Sequence, residues 1–130
     1  MYKQIVINGS SIHDIKSFYA EINRVFMHNE TWEIGESLDA FNDLLYGGFG
    51  IIENGENTKI IWLDIESSKA ALGFEITRSY YLNKLQPGSN FDKQYFQDKL
   101  EELEHGNGQT YFDILMEIIS EHPNIELHKA

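Results

Sequence analysis

The N-terminal segment constrains the fold more than any other part of this chain. The run Ile5-Val6-Ile7 is apolar without alternation, which is typical of a strand covered on both faces. Asn8-Gly9 supplies a tight turn, and apolar side chains then recur at helical spacing from about Asp14 to Met27. A strand, a tight turn and an amphipathic helix together predict a crossover to a parallel neighbouring strand.

Two later apolar segments predict the remaining strands, at Thr58 to Leu63 and at Ile125-Glu126-Leu127. The intervening segments with helical patterns are Leu38–Tyr46, Ser67–Leu72, Thr77–Leu85, Phe91–His105 and Thr110–Glu121. The sequence therefore predicts an α/β fold, in which a small three-stranded parallel sheet has helices packed against it. We expect a single domain over residues 1–130. The order of the strands does not follow from the sequence.

Composition narrows the class of protein. A hydrophobic share of 42% with 24% charged residues is typical of a globular chain. Cysteine is absent, which excludes a disulfide framework and thiolate chemistry and fits a reducing compartment. The start of the chain lacks a signal-peptide pattern, and no apolar run approaches the roughly 20 residues that span a bilayer. We therefore expect a cytoplasmic protein that does not contact membranes.

The charge balance points to a cationic protein partner. With 21 acidic and 10 basic residues, the formal net charge is −11, whereas nucleic-acid binding requires a basic surface. Between Val25 and Thr58 the chain has no lysine or arginine. The acidic residues of that segment are Glu30, Glu33, Glu36, Asp39, Asp43, Glu53 and Glu56. An acidic surface of this kind raises the encounter rate with a basic partner.

The short helix at the centre of this acidic segment has two different sides. Leu38, Phe41 and Leu44-Leu45 share the side that should face the core, and Gly47-Gly48 should end the helix. Asp39 and Asp43 share a neighbouring side with Tyr46. Carboxylates four residues apart repel each other by a few tenths of a kcal/mol, and this helix has no lysine that could form an ion pair with them. This pair is either a solvated acidic face or a surface kept for a partner.

The usual catalytic motifs are missing. The chain has no GxGxxG, phosphate loop, GxSxG or HExxH pattern. We expect surface positions for the histidines, which are His13, His28, His105, His122 and His128. The aromatic clusters Trp62, Tyr80-Tyr81 and Tyr95-Phe96 are better explained by packing than by ligand stacking. We expect no enzymatic activity, cofactor or metal, and a carboxylate-based enzyme or metal binder is kept as the third alternative.

Four segments carry a resemblance to a known family. Ile5–Gly9 is similar to that family's first strand and turn, and Gly35–Asp43 to its Gly-Glu-Asn-Leu-Asp-Ala-Leu-x-Asp run. Thr58–Lys69 resembles its middle strand with the Ser-Lys that follows. Glu117 to Leu127 resembles its last helix and strand. The family is barstar, the intracellular inhibitors of barnase-type ribonucleases. Residues from about Leu72 to Gly108 have no counterpart in its smallest members and resemble a mostly helical insertion.

The resemblance implies inhibition by charge mimicry, in which an acidic helix and loop block a ribonuclease active site in place of RNA phosphates. It implies that Asp43 is the main phosphate mimic, that Asp39 binds an active-site arginine or guanine-site group, and that Glu117 pairs with a basic residue at the rim. Gly47 matches the glycine that closes the family's helix. The partner-binding residues expected on this basis are Trp32, Glu33, Glu36, Asp39, Asn42, Asp43, Tyr46, Gly47 and Glu117.

The chain departs from the family pattern at three places. Glu33-Ile34 stands where the family commonly has two tyrosines, and Trp32 could replace one of them. Asn42 stands where the family has a tryptophan, and Tyr46 where it has a small hydroxyl residue. We expect a monomeric bacterial immunity protein that inhibits a basic, extracellular-type ribonuclease. The alternative is a barstar-like immunity or adaptor protein for a basic partner that is not a ribonuclease.

Overall fold

A computed structural model of the chain describes residues 3–130. Its strands and helices follow the predicted order. They are β1 (Lys3–Asn8), α1 (Ile15–Phe26), α2 (Leu38–Tyr46), β2 (Thr58–Leu63), α3 (Ile65–Ala71), α4 (Phe74–Lys84), α5 (Lys93–Glu104), α6 (Tyr111–Ser120) and β3 (Ile125–Lys129). A 3-10 turn at Gly9–Ser11 follows β1. None of the helices in this part of the chain combines the length and apolar character needed to cross a membrane.

The three strands form one sheet in the order β1-β2-β3, with both strand pairs parallel. This confirms the predicted α/β class and the predicted crossover after β1. Ile5 pairs with Ile60 and Ile60 with Leu127, which sets the register across the sheet. The central strand is β2, and Trp62 near its C-terminal end is fully buried.

Only one face of the sheet is covered, and the prediction of a doubly covered β1 was wrong. Ile5 and Ile7 are buried in the core, but Val6 between them is 41% exposed. Leu63 on β2 is equally exposed. Successive strand residues point to opposite faces, and the core that covers one face comes mainly from α1, α2 and α6. The apolar run at β1 therefore includes a valine on the open face.

The core is built around Trp62. The ring of Phe18 stacks on it at 6.1 Å between centroids and meets Phe41 of α2 edge-on at 5.5 Å. The indole Nε1–H of Trp62 donates to Ser68 Oγ at 2.9 Å, and that hydroxyl donates to the carbonyl of Gly9 at 3.2 Å. These contacts fix α1, α2 and α3 against the end of the sheet.

The segment between β2 and α6 is mostly helical, as predicted. Helices α4 and α5 pack on each other around a small cluster of their own, formed by Tyr81, Leu100 and Leu103. Thr77 of α4 accepts a hydrogen bond at 2.7 Å from the backbone N–H of Tyr111, at the start of α6. This hydrogen bond connects the α4–α5 hairpin to α6, which packs on the sheet.

Candidate protein-binding site

Helix α2 is fixed at both ends and along one side. Ser37 Oγ caps its start by accepting the Ala40 N–H at 3.3 Å. Phe41 and the leucines 44 and 45 are fully buried, as the periodicity predicted. Gly47 ends the helix at φ 91°, and a Cβ there would lie 2.6 Å from the Glu53 carbonyl oxygen. The side chains on the exposed side of α2 are therefore held in place by the fold.

That exposed side carries uncompensated negative charge. Asp39 and Asp43 are both exposed, and Tyr46 beside them is 59% exposed. The salt bridges found within residues 3–130 involve other acidic residues, so no described lysine or arginine neutralises either aspartate. The two carboxylates are free to meet a cationic group from outside the chain.

His122 is buried and packs against α2, so the expectation of a surface position for this residue was wrong. Its side chain is 2% exposed, and its Nε2 lies 2.7 Å from Asn42 Oδ1. The ring also meets Tyr46 edge-on at 4.5 Å. Burial lowers the pKa of His122, and the charge of Glu121 opposes this. Asn42 and Tyr46, two of the expected binding residues, are thus positioned by His122. The other four histidines are exposed, as expected.

The loop before α2 contains one buried residue next to two exposed ones. Ile34 is buried, and its backbone N–H and carbonyl form hydrogen bonds of 2.8 and 3.1 Å with the side chain of Asn23. Glu33 is exposed. Trp32 is 48% exposed and its ring packs on Phe49 at 5.1 Å. The residue at one family tyrosine position therefore belongs to the core, while Trp32 offers an aromatic surface close by.

Three of the expected binding residues line one groove. The groove has a volume of about 770 Å³ and lies between the start of α2, the α4–α5 hairpin and α6. Glu36 comes from the loop, Asp39 from α2 and Glu117 from α6. Gln109 Nε2 donates a hydrogen bond to Glu117 and so holds that carboxylate at the edge of the groove. We call these three carboxylates the acidic wall.

Three aromatic residues, Tyr80, Phe91 and Tyr95, also line the groove, and we call them the aromatic wall. Phe91 and Tyr95 are 48% and 52% exposed. Trp62 is fully buried, as the packing explanation predicted, and Tyr95 packs edge-on against Phe96 at 5.0 Å with half of its surface exposed. Burial raises the pKa of Tyr80, and the charges of Tyr95 and Asp39 add to this effect. The sequence signal for this wall lay in the aromatic pairs Tyr80-Tyr81 and Tyr95-Phe96, which were assigned to packing.

The side chains of residues 3–130 include no group of three or more histidines or carboxylates arranged to hold a metal ion. The side chains that line the groove include carboxylates, aromatic rings, amides and the two lysines Lys84 and Lys99. Carboxylates and aromatic rings bind cations by charge, hydrogen bonding and ring stacking.

Comparison with models of protein families gives a match to this chain. The model of the barstar family, described as barstar (barnase inhibitor), matches residues 2–81. The match covers more than half of the 130 residues. The chain belongs to the barstar family. Searches of curated proteins and of solved structures each give no match.

The limits of the match separate the expected site residues into two groups. The barstar match contains the loop from Trp32 and the whole of α2, so every expected residue up to Gly47 lies within it. Glu117 and β3 lie beyond its end. The match stops inside α4, part-way through the segment from about Leu72 to Gly108. That this segment is an insertion stays a prediction.

Proposed function

We propose that this chain is a non-catalytic inhibitor that binds a basic ribonuclease of the barnase type and blocks its active site with α2. The family membership makes inhibition of a barnase-like enzyme the first candidate. The inhibitor would act in the cytoplasm of a bacterial cell that makes the enzyme, as a monomeric immunity protein.

One observation carries this proposal: Asp39 and Asp43 are exposed and unneutralised on a helix that is capped, closed by a glycine and packed on the core. Placing two like charges on one helix face costs stability. Binding the cationic groups that normally hold RNA phosphates would offset that cost. Because α2 is already rigid in the free chain, little conformational entropy would be lost when a partner binds it.

The positions of three carboxylates suggest which group of the enzyme each of them would bind. Asp43, near the middle of α2, would occupy a phosphate position in the enzyme, and Asp39 would meet an active-site arginine or guanine-site group. Glu117 lines the same groove from α6 and would contact a basic residue at the rim. The net charge of −11 would speed the encounter of the two proteins at low salt.

The test is a titration of the purified chain against barnase in a fluorescent RNA-cleavage assay, repeated with Asp39→Ala and Asp43→Ala. The wild-type chain should abolish cleavage at a one-to-one ratio, and each variant should weaken inhibition about 30-fold or more, as expected of binding hot spots. Asp98→Ala is the matched control, because Asp98 is an exposed aspartate on α5 outside the groove. No inhibition by the wild-type chain, or equal inhibition by the α2 variants, would contradict the proposal.

A second candidate is an immunity or adaptor protein for a basic partner that is not a ribonuclease. The observation in its favour is that the aromatic contacts around α2 differ from the family pattern, since Ile34 is buried and Asn42 is bound to His122. This candidate predicts a complex with a basic protein that leaves RNA cleavage by barnase unaffected. In that case the α2 variants would still weaken the complex.

A further inference from the structure

The α4–α5 hairpin places aromatic residues in the same groove as the acidic residues Glu36, Asp39 and Glu117. The carboxylates of the acidic wall and the rings of the aromatic wall line the same groove. Tyr80 lies close enough to Asp39 for that carboxylate to raise its pKa. A side chain entering the groove would therefore have both carboxylates and aromatic rings within reach.

The aromatic wall already holds cations. Lys84 Nζ lies over the ring of Phe91, 3.8 Å from its centroid, and 5.2 Å from the centroid of Tyr80. Lys99 Nζ lies 5.6 Å from the centroid of Tyr95. The rings therefore present their negative faces to ammonium groups within the groove. A cation from a partner could take the same position once the flexible lysine stem moved aside.

Charge favours a cationic occupant. The acidic residues that line the groove are Glu36, Asp39, Glu102, Glu117 and Glu121. Only two lysines, Lys84 and Lys99, line it as well, and Lys99 Nζ lies 3.8 Å from Glu102. The carboxylates of the acidic wall thus exceed the cations available to them.

Arginine suits this combination better than lysine does. Its planar guanidinium stacks on an aromatic ring and can at the same time donate paired hydrogen bonds to a carboxylate. We propose that the groove binds an arginine side chain of the basic partner, stacked on Phe91 or Tyr95 and paired with the acidic wall. The identity of that partner rests on the proposed function. The α4–α5 hairpin then supplies aromatic contacts in addition to that of Trp32 in the loop before α2.

The test follows the backbone and side-chain amide NMR signals of the full chain during titration with an acetylated and amidated triarginine peptide at about 0.15 M salt. The largest shifts should fall on Asn107, Gln109 and α5. Phe91→Ala should weaken binding about fivefold or more, the size expected for loss of a cation–π contact. Phe74→Ala is the matched control, since Phe74 is 44% exposed at the start of α4 and lies outside the groove.

A second pair of variants tests the position of the cation. Lys84→Gln should strengthen peptide binding at least twofold more than Lys69→Gln does, because Lys84 lies over the Phe91 ring in the groove and Lys69 lies outside it. Shifts spread evenly over the acidic surface, or equal effects within either pair of variants, would overturn the inference. Groove binding of the peptide without inhibition of barnase would support the inference and refute the proposed enzyme. Inhibition of barnase without peptide binding in the groove would support the proposed enzyme partner and refute the inference about arginine.

Discussion

His122 Nε2 and Asn42 Oδ1 lie 2.7 Å apart and connect two segments that are eighty residues apart in the chain. The oxygen of the amide accepts, so the neutral imidazole donates from Nε2. Since the His122 ring also contacts Tyr46, one buried side chain supports the half-buried Asn42 and the exposed Tyr46 of α2. The orientation of α2 is thus linked to the segment between α6 and β3.

The buried His122 predicts that stability falls on mild acidification. Its ordinary pKa is 6.5, and burial lowers the pKa in the folded chain. Between the folded and unfolded pKa values the unfolded chain binds the extra proton, so the free energy of unfolding decreases as the pH drops below about 6.5. Urea unfolding at about pH 7.5 and 5.5 measures this loss. His122→Gln should show a smaller difference between the two pH values, and an unchanged difference would contradict the account.

Gly9 is required by close packing between β1 and the start of α3. A Cβ at this position would lie 2.3 Å from the Leu63 carbonyl oxygen and 2.6 Å from Ser68 Oγ. Gly9→Ala should therefore lower the free energy of unfolding by about 2 kcal/mol or more, as overpacking does. Gly35→Ala is the control, because nothing lies within 4 Å of a Cβ there. Equal unfolding midpoints in urea for the two variants would refute this role.

Tyr19 and Tyr111 share a buried hydrogen bond of 2.6 Å between their hydroxyls. Burial raises the pKa of both groups, so they are neutral throughout the physiological range. Replacing either residue with phenylalanine leaves the other hydroxyl without this partner, at a cost of about 1–3 kcal/mol. The double variant should lose less than the sum of the two single losses. A double-mutant cycle by urea unfolding tests this coupling, and strictly additive losses would argue against it.

The local features of the fold could be predicted from the sequence. The buried side of α2, its glycine end at Gly47 and the parallel strands all follow from periodicity and turn chemistry, which are short-range properties. The barstar-family resemblance of the segment around Asp39 and Asp43 was confirmed by the family match. The exposure of both carboxylates also agrees with the prediction.

The features that depend on how distant elements meet could not be predicted in this way. His122 is buried because α2 packs over the segment after α6, and no short-range pattern records that contact. Val6 is exposed because the helices that build the core cover only one face of the sheet. Tyr95 packs against Phe96 but stays half-exposed, because the cluster that α4 and α5 share is small. The aromatic wall of the groove emerged only from the structure.

The central claim is that the charge of α2, and not merely its shape, binds a basic ribonuclease. The most direct measurement compares the affinity of wild-type chain and Asp43→Asn for barnase by calorimetry, with Asp98→Asn as the control for net charge. Asp43→Asn keeps the size of the side chain and removes its charge, so affinity should fall about 30-fold or more, while Asp98→Asn binds like wild type. An Asp43→Asn variant that binds as tightly as wild type, or a wild-type chain that does not bind, would contradict the account.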